Sequence, residues 1–135
     1  MKIFSIGLII LLLFVGTALS ADLAKPLTFT WDQATTDLPN LQGWGLYVRA
    51  TAGGAHESLI PVPYTGGNGP FLASQTFTVT GNSGTTIRKF FVLDAVSKSG
   101  NRSGFSNEVF YDFVFPYADV TTPMSLKVTA AVQPQ

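Results

Sequence analysis

Beyond residue 20, apolar and polar residues alternate in short runs broken by Gly, Pro and Asn, with no stretch of sustained helical period. Such runs read as strands separated by turns. "LTFTW" places Leu27, Phe29 and Trp31 on one face and Thr28 and Thr30 on the other. "DLPNLQG" then reads as a connection that Pro39 and Gly43 keep out of a regular ladder. In "WGLYVRA", Trp44, Leu46 and Val48 share one face, while Gly45, Tyr47 and Arg49 share the other. "TAGGAHESLIPVPYTGGNGP" is a turn-rich passage with one short strand expected near Ser58 to Ile60, and "SQTFTVTG" turns Phe77 and Val79 inward.

The longest coherent pattern is "IRKFFVLDAVSKSGNRSGFSNEVFYDF". Ile87, Phe91, Leu93 and Ala95 alternate with Arg88, Phe90, Val92 and Asp94. A polar reversal follows, where Gly100 and Asn101 suit left-handed backbone. The chain then returns with Val109, Tyr111 and Phe113 on the core face. Two such strands with a common apolar face predict an antiparallel, all-β domain.

The first 20 residues differ in kind. Lys2 precedes an uncharged apolar run from Ile3, and Ala18 and Ser20 stand at −3 and −1 of a cleavage point before Ala21. This is the layout of a secretory signal peptide. The alternative is a retained anchor, although the run of 16 residues to Ala18 is short of the roughly 20 that span a bilayer. The expected location is secreted or cell surface, with membrane attachment only if the segment is kept. The 115 residues that remain suffice for one domain with its own core. No cysteine is present, so an exported fold rests on that core without disulfides, and thiol chemistry is excluded. Without Lys2, seven basic residues face eight acidic ones with no basic run, which argues against nucleic acid.

The segments "LTFTWD", "DLPNLQGWGLYV", "TFTVTG" and "KFFVLDAVSKSGNRSGFSNEV" together resemble the fibronectin type III domains of bacterial exported proteins. The resemblance spans about Leu27 to Phe113. It implies a seven-stranded antiparallel β-sandwich of immunoglobulin-like type over residues 21–115, with Trp31 as a core anchor. By that mapping, strand C holds Trp44 to Ala50, strand F Ile87 to Ser97 and strand G Asn107 to Phe115, side by side in one sheet. Two departures stand out. The family's corner tyrosine is replaced by Lys89, and only "DLAKP" precedes Leu27 where the family has its first strand, A.

A segment resembling that strand lies instead in the tail, residues 116–135. In "TTPMSLKVTAAV", Leu126, Val128, Ala130 and Val132 alternate with Lys127, Thr129 and Ala131. It forms a candidate docking strand for its own domain's vacant edge or for a second copy's, which would make a homo-oligomer. The third reading is a solvated tail. Covering a vacant edge has value because bare edges invite aggregation.

Chemistry is sparsely marked. His56, the only histidine, reads as an exposed loop residue beside Glu57, and no G-x-S-x-G pattern exists. The carboxylates Asp32, Asp37, Asp94, Glu108 and Asp112 form no evident pair. "WDQATTDLPN" lacks calcium-loop spacing and "TGGNGP" lacks a phosphate-loop lysine. The expectation is no enzyme, no metal and no cofactor. Asn101-Arg102-Ser103 fits the glycosylation pattern and is expected to stay unmodified in a bacterial exported chain. One surface feature remains. Tyr47, Phe90, Val92 and Phe110 point away from the core across strands C, F and G, an aromatic stripe suited to a protein interface. The 51–75 loop or the tail would otherwise cover it. The expected function is therefore a non-catalytic exported module for protein–protein assembly, with self or other surface proteins as partners. Carbohydrate binding through exposed aromatics is the alternative.

Overall fold

The computed structural model describes residues 20–118 and 123–128. Residues 1–19 of the leader thus lie outside the described residues, as do Ala130 and Val132 of the candidate docking strand. Six strands are present among the described residues: β1 (Ser20–Trp31), β2 (Leu41–Arg49), β3 (His56–Pro63), β4 (Phe71–Asn82), β5 (Thr86–Ser97) and β6 (Val109–Val114). They form two antiparallel sheets, one of two strands, β1-β4, and one of four, β3-β2-β5-β6. The all-β class and antiparallel pairing follow the alternation in the sequence. The expected seventh strand is not among the described residues.

The sheets face each other in a sandwich-like arrangement, with the core drawn from the predicted faces. Leu46, Val48 and Phe91 of the larger sheet are buried against Leu27, Phe29 and Phe77 of the smaller one. Phe29 and Phe77 each lie about 5 Å from the Phe91 ring. At the upper end, Trp44 stacks edge-on against Trp31 with centroids 5.0 Å apart, beside buried Leu38 and Leu41. Both tryptophans are thereby engaged in packing, as their strand parity implies.

Three sequence readings need correction. "DLAKP" is not a gap before the first strand, because β1 is paired with β4 without interruption from Ser20↔Asn82 to Trp31↔Phe71. Pro26 is tolerated there because β1 has only one neighbour, and a free edge needs no ladder donor. Gly43 lies inside β2 and not in a connection, flanked by Pro63 and Val96, with a register irregularity between Leu41 and Gly43. A short 3-10 turn, Leu38–Asn40, delivers the chain to that strand. Finally, the short strand expected near Ser58 to Ile60 is the eight-residue β3 and begins at His56, so His56 is a strand residue and not a loop one.

Burial is lopsided. Eight of the nine β2 residues are buried, whereas no β1 residue is, and in β4 only Gly81 is. Two strands cannot cover the apolar face of four. Phe91→Ala should therefore cost about 3–5 kcal/mol, the usual range for emptying a packed phenyl site. Leu23→Ala, on the half-exposed edge strand, should cost under about 1 kcal/mol. Urea denaturation of the two variants checks the contrast.

Candidate functional site

Two surfaces compete for a functional role: the outer face of the four-stranded sheet and the outer edge of β1. The first is the stripe expected from sequence, and the structure divides it. Tyr47 is only 8% exposed and Val92 only 3%. Phe90 is half-buried, and Phe110 is 55% exposed with the Arg88 guanidinium 3.9 Å over its ring. Tyr47 and Val92 are therefore withdrawn from any interface. The cover over Tyr47 comes from the 101–108 segment through Phe105 and from the 51–75 passage through His56.

That segment is held by unusual pairing. Where β6 ends opposite Phe91, the upper half of β5 would lose its neighbour. Ser103 and Ser106 replace it. The Ser103 backbone N–H donates to the Ala95 carbonyl (2.9 Å) while its Oγ accepts from the Ala95 N–H (2.8 Å). Ser106 repeats the arrangement on Leu93, at 2.8 and 3.0 Å. The reversal before it uses Gly100 at φ 87°; Asn101 keeps a negative φ.

The segment then closes on the sheet. Arg102 Nη1 donates to the Tyr47 hydroxyl at 2.8 Å and to Asp94 Oδ1 at 3.0 Å, and Tyr47 donates to Asp94 Oδ2 at 3.0 Å. Asp94 is buried, and Gly45 opposite it leaves the space. A Cβ at Gly45 would meet the Asp94 carboxylate, Leu59 and Arg102 at 2.7–2.9 Å. Phe105 packs edge-on against both Tyr47 and His56 (5.2 Å each), with Arg49 5.0 Å over its ring. Arg49 in turn donates to Glu108 (2.9 Å) and to His56 Nε2 (2.9 Å), so that nitrogen acts as acceptor. Burial, and then the hydrogen bond and charge of Asp94, push the Tyr47 hydroxyl above its ordinary value of 10.0. These residues interlock as a packed ion-pair network. Among the described residues, no three His, Asp or Glu side chains converge as metal ligands.

The second surface is open. A cleft of about 110 Å³ lies between Phe29–Trp31 of β1 and Phe91, Leu93, Ser106 and Val109 of the larger sheet. No β4 residue lines it, so it opens on the side of β1 away from β4. Val109 faces the core layer opposite Phe91, yet it is 44% exposed. Lower on the same edge, Lys25 shares the core-side parity of Leu23 and Leu27, and Pro26 lacks an N–H. An inward charge and a proline are devices that blunt a strand edge. Above them Leu27 to Trp31 carries no such device.

The described part of the candidate docking strand, residues 123–128, does not lie on this edge. Leu126 and Val128 are 96% and 94% exposed, and residues 123–128 belong to no strand. Sequence reasoning missed Arg102, Phe105 and the exposed Val109. Each depends on where the 101–108 segment folds, and no local pattern marks that. No family model matches the chain, and no curated protein or solved structure matches it.

The network on the outer face generates a pH prediction. An unfolded tyrosine ionises from about pH 10 upward, whereas the folded Tyr47 hydroxyl holds its proton longer. Its stabilising contribution is thus present below pH 10 and is lost as pH rises through that value toward the higher folded one. Tyr47→Phe should cost about 1–2 kcal/mol at neutral pH and should flatten this alkaline fall. Equilibrium unfolding at pH 7 to 11 measures both effects.

Proposed function

We propose that this chain is an exported, non-catalytic module of the fibronectin type III kind that acts in protein–protein assembly at the cell surface or outside the cell. The strand order supports the family reading. β3-β2-β5-β6 corresponds to that family's C′-C-F-G sheet, and β1-β4 to strands B and E, leaving strand A without a counterpart among the described residues. The replacement of the corner tyrosine also has a physical substitute, since Lys89 Nζ pairs with Glu57 at 2.8 Å. Cleavage before Ala21 would remove only the first residue of β1, which is compatible with export.

One observation carries the assembly reading: the cleft beside Phe29–Trp31 and the exposed, core-facing Val109 mark an apolar layer that lacks its last strand. Strand addition supplies backbone hydrogen bonds along such an edge, and side chains inserted into the layer supply specificity. Sugar stacking through tryptophan has less support, because Trp44 is buried and Trp31 packs against it.

The reading predicts that the edge is free when the tail is removed. In a chain from Ser20 to Ala118, the amides of Leu27–Trp31 that do not bond to β4 should exchange with solvent as fast as loop amides. Hydrogen-exchange NMR resolves them singly. Slow exchange of those amides in the shortened chain would mean that the edge is already covered, and would overturn the assembly reading.

A further inference from the structure

Resting on the open-edge reading, we infer that the strand received by β1 is the Met124–Val128 segment of a second copy, laid antiparallel to Leu27–Trp31, so that copies join head to tail. The first argument is reach. After β6 the chain crosses to the turn below β4: Phe115 donates to the Thr85 carbonyl, and the Ala118 N–H donates to Ser83 Oγ at 2.7 Å. The tail therefore leaves from the Ser20 end of β1, because Ser20 pairs with Asn82. Phe29 lies about 30 Å up the strand from Ser20 and Trp31 about 37 Å, at 3.3–3.4 Å per residue. The eight steps from Ala118 to Leu126 span at most about 29 Å when fully extended. Leu126, the largest apolar side chain of the alternating segment, would touch the lower rim of its own domain's cleft only on a fully taut path. Within one chain Val128 would arrive opposite the cleft instead, at about 33–36 Å of extended path, and it is a smaller filler than Leu126.

Direction is the second argument. A tail folding onto its own β1 would run parallel to it, starting from the Ser20 end. The β1-β4 pair is antiparallel, and antiparallel addition extends that sheet in the slightly more stable pairing. An antiparallel strand enters at the Trp31 end, so its owner sits above that end with its own Ala118 end facing down. The contact joins two different surfaces, a head-to-tail arrangement that extends beyond a dimer as an open array or a ring. Parallel exchange between two copies would instead set their lower ends together and stop at a dimer.

Chemistry and shape agree with this occupant. The unblunted stretch Leu27–Trp31 matches Met124–Val128 in length. Met124, Leu126 and Val128 share one face of an extended strand, so Leu126 enters the cleft between Phe29 and Val109 while Ser125 and Lys127 face water. The cleft of about 110 Å³ is of the size that accepts a single apolar group; a benzene-sized cavity is about 150 Å³. In the undocked tail Ser125 stands at φ 55°, a conformation uncommon for a residue with a Cβ. Docking moves it to extended backbone.

The test uses the absence of native cysteine. Two variants of the chain from Ser20 to Gln135 each carry one pair, Thr30→Cys with Lys127→Cys or Thr28→Cys with Lys127→Cys, on the water-facing side of both strands. After mild oxidation, at least one pair should give a ladder of covalent multimers, with peptide mapping joining position 127 to position 28 or 30. Single-cysteine chains should give no ladder. Adding Leu126→Asp should lower the multimer yield by about tenfold or more without shifting the melting temperature. A link within one chain, a product that stops at dimers, or no link with either pair would overturn the inference. None of these outcomes touches the exchange measurement on the shortened chain, so the acceptor edge and its occupant fail separately.

Discussion

A four-stranded sheet must bury one apolar face, and among the described residues two strands cover it. Most of the architecture follows from that mismatch. The centre of the larger sheet is sealed: β2 is buried along almost its whole length, and Phe91 and Phe113 are shielded from water. The deficit appears at the β6 side, where Val109 and the cleft beside Phe29–Trp31 remain open. Exposed apolar surface of this kind costs free energy in water, and the bare backbone beside it presents unused donors and acceptors. Both deficits lie on the same edge, and one added strand would remove both.

The opposite face of the same sheet shows what a completed solution looks like. It carries an aromatic stripe that would also be exposed, but the 101–108 segment folds back over its centre. Ser103 and Ser106 take over the hydrogen bonding that β6 abandons, Phe105 covers Tyr47, and Arg102 compensates the buried Asp94. Arg102 is itself partly exposed, so the pair gains more from satisfying Asp94 and Tyr47 than from attraction between charges. One face is closed by the chain's own 101–108 segment, and the edge of β1 has no neighbour among the described residues. The difference is why the proposal places a partner at the edge and not at the face.

Much of the fold was legible because strand parity is a local property. Alternation alone gave the buried faces of "LTFTW", "WGLYVRA" and "KFFVLDAV", and the structure packs Phe29, Leu46, Val48 and Phe91 together accordingly. Errors arose where tertiary pairing overrode local signals. Gly43 and Pro26 read as strand breakers, yet Gly43 is held between two neighbours and Pro26 sits on a free edge. The stripe of Tyr47, Phe90, Val92 and Phe110 was read as outward-facing, yet Tyr47 and Val92 are buried. Its burial at Tyr47 depends on Phe105, some sixty residues along the chain, and periodicity carries no information about that fold-back. The height of the cleft, and hence the side chain that fits it, required the register of β1 against β4.

The central claim is that the vacant strand position is filled by another copy's tail. The most direct measurement is molar mass by light scattering over a concentration series, for the chain from Ser20 to Gln135 and for one ending at Ala118. The account predicts that the longer chain grows with concentration well beyond a dimer while the shorter one stays monomeric. Equal monomeric masses for both at every concentration, or growth of the longer chain that stops at a dimer, would contradict it.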